Sequence, residues 1–364
     1  MGRLSIGYIS LETRKTKLYL IGWNFLHNQI TYSVGIRPQS VAVADVNSDN
    51  KPDIIVANCD SNNVGVLLNI GNGDFNAQTT YSVGNYPYSV VVIDVNSDNK
   101  PDIVIVNSGS NYISVLLNKG NGIFNAQTTY SARVYQYSVA VADVNNDNKP
   151  DIVVPNSGWH FVGVFLNTGN GTFNAQTTYS VGIYPYSVAV VDVNNDNKPD
   201  IVVANSHSHN VGVLLNTGNG TFTAQTTYSV GNNPKSIAVV DVNNDNILDI
   251  VVANHGSNNV GVLLNTDNGT FTAQTTYSVG NFPESVVVVD INDDNKPDIV
   301  VANSHSDNVG ILLNTDNGTF NVQTTYSVGN YPYSVAVVDI NDDNKPDIVV
   351  TNAGSNSTTV LLQC

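Results

Sequence analysis

A nine-residue acidic segment recurs seven times along the 364-residue chain, and each copy begins 49 residues after the previous one. The copy at 192–200 reads Asp-Val-Asn-Asn-Asp-Asn-Lys-Pro-Asp. Every copy has aspartate at positions 1, 5 and 9, asparagine at positions 3 and 6, and valine or isoleucine at position 2. Because a fixed period of this length builds one array of repeated units rather than separate globules, the spacing predicts a single repeat domain.

One repeat divides into four short segments with the composition of β-strands. In the fourth repeat these are 187–193 (SVAVVDV), 200–204 (DIVVA), 211–215 (VGVLL) and 222–230 (FTAQTTYSV). Valine, isoleucine, threonine and tyrosine dominate the segments, while asparagine, glycine, aspartate and proline dominate the joints between them. No segment has a helical period over a useful length, so the pattern predicts an all-β protein.

Four antiparallel strands in about 50 residues are typical of a β-propeller blade, and a linear solenoid is the competing arrangement. Residues 22–364 hold seven whole repeats, the last of which ends after its third strand. Residues 29–35 (QITYSVG) match 78–84 (QTTYSVG), the fourth strand of the first repeat. We therefore predict a seven-bladed propeller of four-stranded antiparallel blades, in which the N-terminal strand completes the last blade. Residues 1–21 are predicted to be a poorly ordered extension.

The acidity of the chain is concentrated in the repeated segments. The formal net charge is −16, although charged residues make up only 12% of the chain. Of the 30 acidic residues, 21 lie at segment positions 1, 5 and 9. The chain lacks the basic face that nucleic-acid binding needs, and it has no apolar run near the roughly 20 residues of a membrane span. The two cysteines are not expected to pair, and the N-terminal residues show no clear secretion signal.

The acidic segments are candidate calcium loops. Calcium takes six to eight oxygen ligands, and each segment offers side-chain oxygens at positions 1, 3, 5 and 9 and a backbone carbonyl at position 7. Three neighbouring carboxylates repel one another, and a cation would relieve that repulsion. Seven Ca²⁺ ions, one per blade in a structural role, would change the formal net charge from −16 to −2. The alternative is an acidic turn that is held by hydrogen bonds from side chain to backbone, without a metal.

The predicted metal ligands are the side chains at these four positions of all seven loops. They are Asp45, Asn47, Asp49, Asp53, Asp94, Asn96, Asp98, Asp102, Asp143, Asn145, Asp147, Asp151, Asp192, Asn194, Asp196, Asp200, Asp241, Asn243, Asp245, Asp249, Asp290, Asn292, Asp294, Asp298, Asp339, Asn341, Asp343 and Asp347. The fifth loop is the least typical, because Ile247 and Leu248 replace its Lys-Pro pair.

Several motifs recur in fixed register over residues 22–364. They are the acidic loop, the Asp-Ile-Val-Val-Ala-Asn strand, the Gly-Thr-Phe turn and a Gly-x-x-Pro-x-Ser segment. Together they resemble FG-GAP-type repeats in the variant called VCBS repeats, which form the calcium-binding propeller of integrin α-subunits and occur in many secreted or surface proteins. The resemblance implies a seven-bladed propeller, calcium in the loops, and adhesion or ligand binding. Asparagine replaces glycine at loop position 6 and the Gly-Ala-Pro element is reduced to Gly-x-x-Pro, so integrin partner surfaces are not carried over.

The repeats differ most in the loops expected on the opposite face. Aromatic residues there suit a protein or carbohydrate ligand, although recurring tyrosines could instead pack between the blades. These aromatic residues are Tyr86, Tyr88, Tyr135, Tyr137, Tyr184, Tyr186, Phe282, Tyr331 and Tyr333. The candidate ligand-binding residues are Trp159, His160, Phe161, Tyr184 and Tyr186. The histidines at 207, 209, 255 and 305 are either solvated loop side chains or part of a transition-metal site.

These features predict a non-enzymatic, calcium-binding recognition or adhesion propeller that is monomeric and extracellular or attached to the cell surface. Its protein or carbohydrate ligand would bind the face opposite the calcium loops. One alternative is a structural scaffold without a specific ligand, and another is a hydrolase or lyase with its site on the variable face. Catalysis needs an asymmetric group of acid, base or nucleophile, and seven nearly identical loops are too uniform to supply one.

Overall fold

The chain folds into seven four-stranded antiparallel sheets that form the blades of a propeller. The computed structural model describes residues 26–133 and 135–363. In six blades the four main strands follow one another in sequence and lie side by side. The first strands of neighbouring blades contact each other, which places these strands around the central axis. The predicted all-β, seven-bladed fold is confirmed, whereas the predicted extension at 1–21 lies outside the described residues.

Each blade has an inner, a second, a third and an outer strand. In order from blade 1 to blade 7, the inner strands are Pro38–Ala44, Pro87–Ile93, Ala140–Ala142, Pro185–Val191, Pro234–Val240, Pro283–Val289 and Pro332–Val338. The second strands are Asp53–Asn58, Asp102–Asn107, Asp151–Asn156, Asp200–Asn205, Asp249–Asn254, Asp298–Asn303 and Asp347–Asn352. The third strands are Asn63–Leu67, Tyr112–Leu116, Phe161–Phe165, Asn210–Leu214, Asn259–Leu263, Asn308–Leu312 and Ser357–Gln363. The outer strands are Thr79–Ser82, Thr128–Ser131, Thr177–Ser180, Thr226–Ser229, Thr275–Ser278, Thr324–Ser327 and Leu26–Ser33.

Blades 1–6 carry a small two-stranded hairpin between the third and outer strands; its Asn-Gly turn suits a tight hairpin, but its two short strands were not predicted as separate elements. The hairpins are Asn69–Gly71 with Asp74–Phe75, Asn118–Gly120 with Ile123–Phe124, Asn167–Gly169 with Thr172–Phe173, Asn216–Gly218 with Thr221–Phe222, Asn265–Asp267 with Thr270–Phe271, and Asn314–Asp316 with Thr319–Phe320. Two short 3₁₀ helices, Ser206–Ser208 and His255–Ser257, follow second strands.

The small hairpin shortens the outer strand relative to the prediction. In blade 4 the predicted strand at 222–230 is observed only as Thr226–Ser229, because Phe222 pairs with Asn216 in the hairpin instead. The Phe222 ring packs edge-on against Tyr179 in the outer strand of blade 3, with centroids 5.2 Å apart. The same aromatic pair recurs at other interfaces, so the hairpin joins its blade to the preceding one.

The hydrophobic core lies between the blades. All six residues of every second strand are buried, which agrees with the continuous apolar run between Asp and Asn at its ends. Alternate residues of such a strand face opposite neighbours. Ile55 packs with Ile103 of blade 2, whereas Ile54 packs with Val349 of blade 7. Each blade is therefore stabilised chiefly by the two blades beside it.

The N-terminal strand closes the ring. Leu26–Ser33 runs antiparallel to Ser357–Gln363, with Ile30 opposite Val360. Ile30 and Tyr32 pack into the cluster that joins blade 7 to blade 1, beside Phe75. The predicted closure is confirmed.

The two faces of the disc differ sharply in charge. The acidic face carries the seven acidic loops and the small hairpins, and the variable face carries the loops between second and third strands and between blades. Within the described ranges, only Asp60, Glu284 and Asp307 among the acidic residues lie on the variable face. The basic residues Arg37, Arg133 and Lys235 balance them in number. The negative charge of the chain is thus a property of one face.

Candidate functional site

Each acidic loop is closed by its own side chains. In the first loop, Oδ1 of Asp45 accepts the backbone N–H groups of positions 3, 4 and 5, and Oδ2 accepts that of Asn50 at 2.7 Å. The Oδ1 atom of Asn47 accepts the N–H of Asp49 at 3.0 Å. Ser48 and Asn50 both have φ of 63°, a left-handed conformation that asparagine tolerates better than most residues. The hydrogen-bonded turn considered from the sequence is therefore present.

Position 9 of the loop is a buried structural carboxylate. Asp53 is fully buried, its Oδ2 accepts the N–H of Val46 at 2.9 Å, and its Oδ1 accepts the N–H of Asn69 at 2.8 Å. Burial raises the pKa of Asp53 to about 6, against the lowering effect of these two amides. The equivalent aspartates have a pKa raised in the same way to about 6, or to about 7 for Asp298. Position 9 therefore fixes the hairpin to the loop.

An asparagine of the small hairpin connects each loop network to the preceding blade. In blade 2, Nδ2 of Asn118 donates to the carbonyl of Val46 in blade 1 at 2.8 Å and to that of Pro101 at 2.9 Å. The same donor occurs in blades 1–6, as Asn69, Asn118, Asn167, Asn216, Asn265 and Asn314. Gln363 takes this position in blade 7, where its backbone N–H donates to Asp347 at 2.8 Å. We call this set of contacts the asparagine latch.

The donor chemistry of the loops fits calcium only in part. Positions 1, 3 and 5 are partly or fully exposed residues with oxygens of the kind that calcium prefers, but in the first loop backbone amides already occupy both oxygens of positions 1 and 9 and one oxygen of positions 3 and 5. Over the described ranges, no group of three His, Cys, Asp or Glu side chains has an arrangement that could hold a metal ion. The fifth loop keeps the same turn despite its altered sequence, because Asp245 accepts the N–H of Ile247 at 2.8 Å and Leu248 accepts the latch asparagine.

On the variable face, one repeat position has a left-handed backbone in all seven blades, with φ between 49° and 66°. It is occupied by Arg37, Tyr86, Tyr135, Tyr184, Asn233, Phe282 and Tyr331. Only asparagine among these residue types adopts that conformation readily, and for a bulky residue it is unfavourable. We call the five aromatic members the aromatic crown. Tyr135 is 52% exposed and Tyr331 is 49% exposed, so the crown presents aromatic surface to solvent.

The preceding blade holds each crown turn in place. The backbone N–H of Tyr331 donates to Asp307 at 2.9 Å, and that of Tyr184 donates to Nδ1 of His160 at 3.2 Å. Both acceptors come from the loop between the second and third strands of the neighbouring blade. The crown is therefore built on fixed backbone rather than on free loop tips.

The second tyrosine of each Tyr-x-Tyr segment has a different environment from the first. Tyr88, Tyr137, Tyr186 and Tyr333 converge at the axis and form what we call the tyrosine floor. The Tyr88 hydroxyl shares hydrogen bonds with those of Tyr186 and Tyr333, and the hydroxyl oxygens of Tyr186 and Tyr333 are 2.8 Å apart. The Tyr137 ring stacks on the Tyr186 ring, with centroids 4.8 Å apart. Burial raises the pKa of these hydroxyls, so they stay neutral. The second tyrosine of each pair therefore packs at the axis, while the first lies at the more open rim of the variable face.

A charged cluster lies beside the tyrosine floor. Both carboxylate oxygens of Glu284 accept hydrogen bonds from Lys235, at 3.0 and 2.9 Å, and Oε1 lies 3.0 Å from Nε2 of His255. The Glu284 side chain is only 6% exposed. Burial alone would raise the pKa of Glu284, but the hydrogen bond from His255 and the charge of Lys235 outweigh it and hold that pKa below its ordinary value. Sequence reasoning missed this cluster, although Lys235 and Glu284 occupy the floor position of their repeats.

Two open cavities of the variable face meet at this cluster. The first has a volume of about 370 Å³ and is lined by Glu284, Arg37, Gln39, His305 and Tyr331, among others. The second, of about 290 Å³, is lined by Lys235, His255, Tyr184, Tyr186 and His207, among others. The two cavities share Tyr88 of the floor.

The predicted ligand-binding residues lie in different local environments on the variable face. Tyr184 and Tyr186 both line the second cavity. Trp159 is 57% exposed, and the guanidinium carbon of Arg133 lies over its ring, 4.9 Å from the ring centroid. His160 accepts a backbone N–H, and Phe161 begins the third strand of blade 3.

The loop histidines make aromatic and hydrogen-bonding contacts. His207 stacks on Tyr184 with centroids 4.4 Å apart, and His305 lies between Phe282 and Tyr331 at 4.4 and 5.0 Å. His209 accepts the backbone N–H of the next blade at 3.2 Å through Nδ1. These roles are those of structural side chains at the blade interfaces.

Solved structures share the fold at low sequence identity. The N-terminal domain of BBS1, determined in complex with ARL6, is 12% identical and matches 93% of this chain and 96% of its own, with a TM-score of 0.66. A streptogramin B lyase is 14% identical over 93% of this chain and 98% of its own, with a TM-score of 0.67. Virginiamycin B lyase from Staphylococcus aureus is 14% identical over 92% of this chain and 100% of its own, with a TM-score of 0.63. Identities this low show the fold alone.

The family is defined by the repeats themselves. No curated protein matches the chain. In the part of the chain that the structure describes, no helix is long and apolar enough to cross a membrane. The model of the FG-GAP-like repeat matches six times, at residues 45–105, 94–154, 156–203, 192–252, 241–301 and 290–350. These matches cover most of the propeller, and the chain therefore belongs to the FG-GAP-like repeat family.

Proposed function

We propose that the chain is a non-enzymatic recognition or adhesion propeller, whose protein or carbohydrate ligand binds the variable face. The observation that carries this proposal is the aromatic crown. Asn233 makes the same left-handed turn in blade 5, so the fold does not require an aromatic residue at that position. Backbone conformations that are unfavourable for the residue adopting them are typical of functional sites.

The surface chemistry of the variable face supports the proposal. Tyr86, Tyr135 and Tyr331 present about half of their surface to solvent. Aromatic residues are enriched at interfaces, because they bury a large area and lose few rotamers. The acidic and basic residues of this face are equal in number, so its net charge does not favour a charged ligand over a neutral one.

Calcium is proposed as a structural ion of the acidic face. The exposed position of the loops and their concentration of carboxylate and amide oxygens support this role, and the buried aspartate at position 9 would act by holding the loop rather than by exposing a ligand. A bound ion would supply positive charge where 23 acidic residues lie in seven short loops. Because it would bind only the folded loop, it would stabilise the propeller by mass action.

An extracellular or cell-surface setting completes the proposal. Calcium sites of extracellular modules have dissociation constants of about 10⁻⁴–10⁻³ M, so weak loops would be filled only where calcium is millimolar. The chain is proposed to act there as a monomer.

A hydrolase or lyase is the second candidate, because one observation favours it. Lys235, His255 and Glu284 form an asymmetric group of acid and base, which the seven uniform loops do not supply. Chemical change in a ligand after incubation would favour catalysis, whereas recovery of the intact ligand would favour recognition.

The test exploits the natural asparagine in blade 5. Wild type and the variants Tyr86→Asn and Tyr331→Asn would be compared on a glycan array and on a panel of immobilised extracellular-matrix proteins. Each substitution places asparagine at a left-handed position that it tolerates better than tyrosine does, so the fold should not be destabilised. We therefore expect an unchanged melting temperature together with lost binding. Equal binding by all three proteins would remove the crown from the proposed site, and no binding by any of them would favour the scaffold alternative.

A further inference from the structure

The position that forms the tyrosine floor is not uniform around the ring. In order from blade 1 to blade 7 it is occupied by Gln39, Tyr88, Tyr137, Tyr186, Lys235, Glu284 and Tyr333. Four blades therefore fill the axis with tyrosine, and blades 5, 6 and 1 replace it with a lysine, a glutamate and a glutamine. The polar residues lie on one side of the axis, because blades 5, 6, 7 and 1 are consecutive around the closed ring.

Stability does not explain the charged pair. Replacing a buried ion pair by well-packed residues of similar volume is often neutral or stabilising, since both charges lose hydration on burial. The repeat already offers tyrosine as such a residue, and it packs in four other blades. Lys235 and Glu284 nevertheless make two direct hydrogen bonds, and His255 adds a contact to the same carboxylate.

The two residues of the pair line different cavities of the variable face. Glu284 lines the cavity of about 370 Å³, and Lys235 lines that of about 290 Å³. Small-molecule sites usually have about 300–1,000 Å³, so the first cavity lies at the lower end of that range and the second just below it, a size that suits one sugar ring each. Each also has an aromatic wall, formed by Tyr331 and His305 in the first and by Tyr184 stacked on His207 in the second.

We infer that these two cavities bind a neutral carbohydrate, with Glu284, Lys235 and Gln39 as its hydrogen-bonding partners. Beside their bonds to each other and that of Glu284 to His255, Glu284 keeps one acceptor site on Oε2 and Lys235 keeps one of its three N–H donors. Gln39 offers both a donor and an acceptor, and this set suits adjacent hydroxyl groups. The opposite charges of Lys235 and Glu284 cancel, so a charged group on the ligand gains little there. The flanking rings of Tyr331 and Tyr184 offer apolar faces for the C–H side of a sugar ring. This assignment rests on the proposed function and names the ligand class and the residues that select it.

The first experiment prints neutral and charged glycans on an array and measures binding of the wild-type protein. The neutral glycan with the highest signal is then titrated by calorimetry. Binding confined to charged glycans, or to none, would overturn the assignment.

The second experiment restores the repeat residue at both charged positions. In Lys235→Tyr/Glu284→Tyr the floor becomes tyrosine in six of seven blades, and we expect affinity to fall about tenfold because hydrogen bonds to charged groups are lost. Lys235→Met/Glu284→Leu keeps roughly the volume and removes the hydrogen-bonding groups, which covers the case in which the tyrosine pair does not fold. A loss of threefold or more in a folded double variant supports the inference, and a smaller loss overturns it.

The matched control makes the same kind of change on the other face. Asp74→Thr/Lys119→Thr removes one acid and one lysine from the exposed hairpins and restores the threonine of blades 3–6. We expect this variant to bind like the wild type. If the floor variants bind normally while Tyr331→Asn does not, the inference fails and the proposed function stands. If Tyr331→Asn also binds normally, both fail.

Discussion

The side-chain amide of Asn118 in blade 2 donates a hydrogen bond to the carbonyl of Val46 in blade 1, at 2.8 Å. The same atom also reaches Pro101 at 2.9 Å, and the Asn118 side chain is buried. Asn118→Ala leaves two buried carbonyls without this donor, and we expect it to reduce the free energy of unfolding by about 2 kcal/mol. Thermal and urea unfolding measure the change.

The control for the latch is Asn121→Gly in the same hairpin. Asn121 is exposed with φ of 54°, a conformation that glycine adopts freely, so its replacement should leave stability unchanged. Equal unfolding curves for Asn118→Ala and Asn121→Gly would contradict the latch.

The closing strand gives a second prediction. Ile30 packs against the cluster between blades 7 and 1, whereas the adjacent Gln29 is exposed. Ile30→Asp places a charge in that cluster, and we expect a fall in stability of at least 2 kcal/mol with aggregation through the opened edges. Gln29→Asp should behave like the wild type. Light scattering and thermal melts distinguish them, and a monomeric, equally stable Ile30→Asp protein would contradict closure by this strand.

Calcium binding predicts a third result. If each ion stabilises its loop by about 1–2 kcal/mol at millimolar calcium, the melting temperature should rise clearly between EDTA and 2 mM CaCl₂. Magnesium at the same concentration serves as the control, since it prefers a more rigid octahedral shell. Identical melting temperatures in EDTA and calcium would rule out the ion and leave the hydrogen-bonded turn as the whole account of the loops.

The charged cluster predicts a pH dependence. Because the pKa of Glu284 is lowered in the folded state, its contribution to stability is present above the pKa of the unfolded chain and is lost as pH falls through the folded pKa. The melting temperature of the wild type minus that of Lys235→Gln/Glu284→Gln should therefore decrease below about pH 4. Other carboxyl groups are common to both proteins and cancel in this difference. A difference that stays constant from pH 3 to pH 7 would contradict the pairing.

The repeat spacing was sufficient to predict the architecture. Seven copies at one period give seven blades, and the match between 29–35 and 78–84 predicts the strand that completes the last one. This succeeded because strand pairing within a blade is local in sequence, so the residues of one unit define its sheet.

Contacts between repeats were harder to predict. Asn118 and Val46 are 72 residues apart, and nothing in the Asn-Lys-Gly sequence signals a bond to another blade. The pairing of Lys235 with Glu284 follows only once their shared repeat position is known to face the axis. An alignment of the seven repeats at that position would have shown a lysine and a glutamate where four repeats have tyrosine.

In blades 1–6 the asparagine latch runs from the blade to the one before it, so six of the seven interfaces share the same chemistry. Any of these six joints can therefore lie beside the chain ends. A chain permuted to begin at the outer strand of another blade, such as Thr128–Ser131, would build the same disc with a different composite blade. Duplication or loss of whole units in evolution would likewise preserve the joints, while the loops of the variable face are free to diverge one blade at a time.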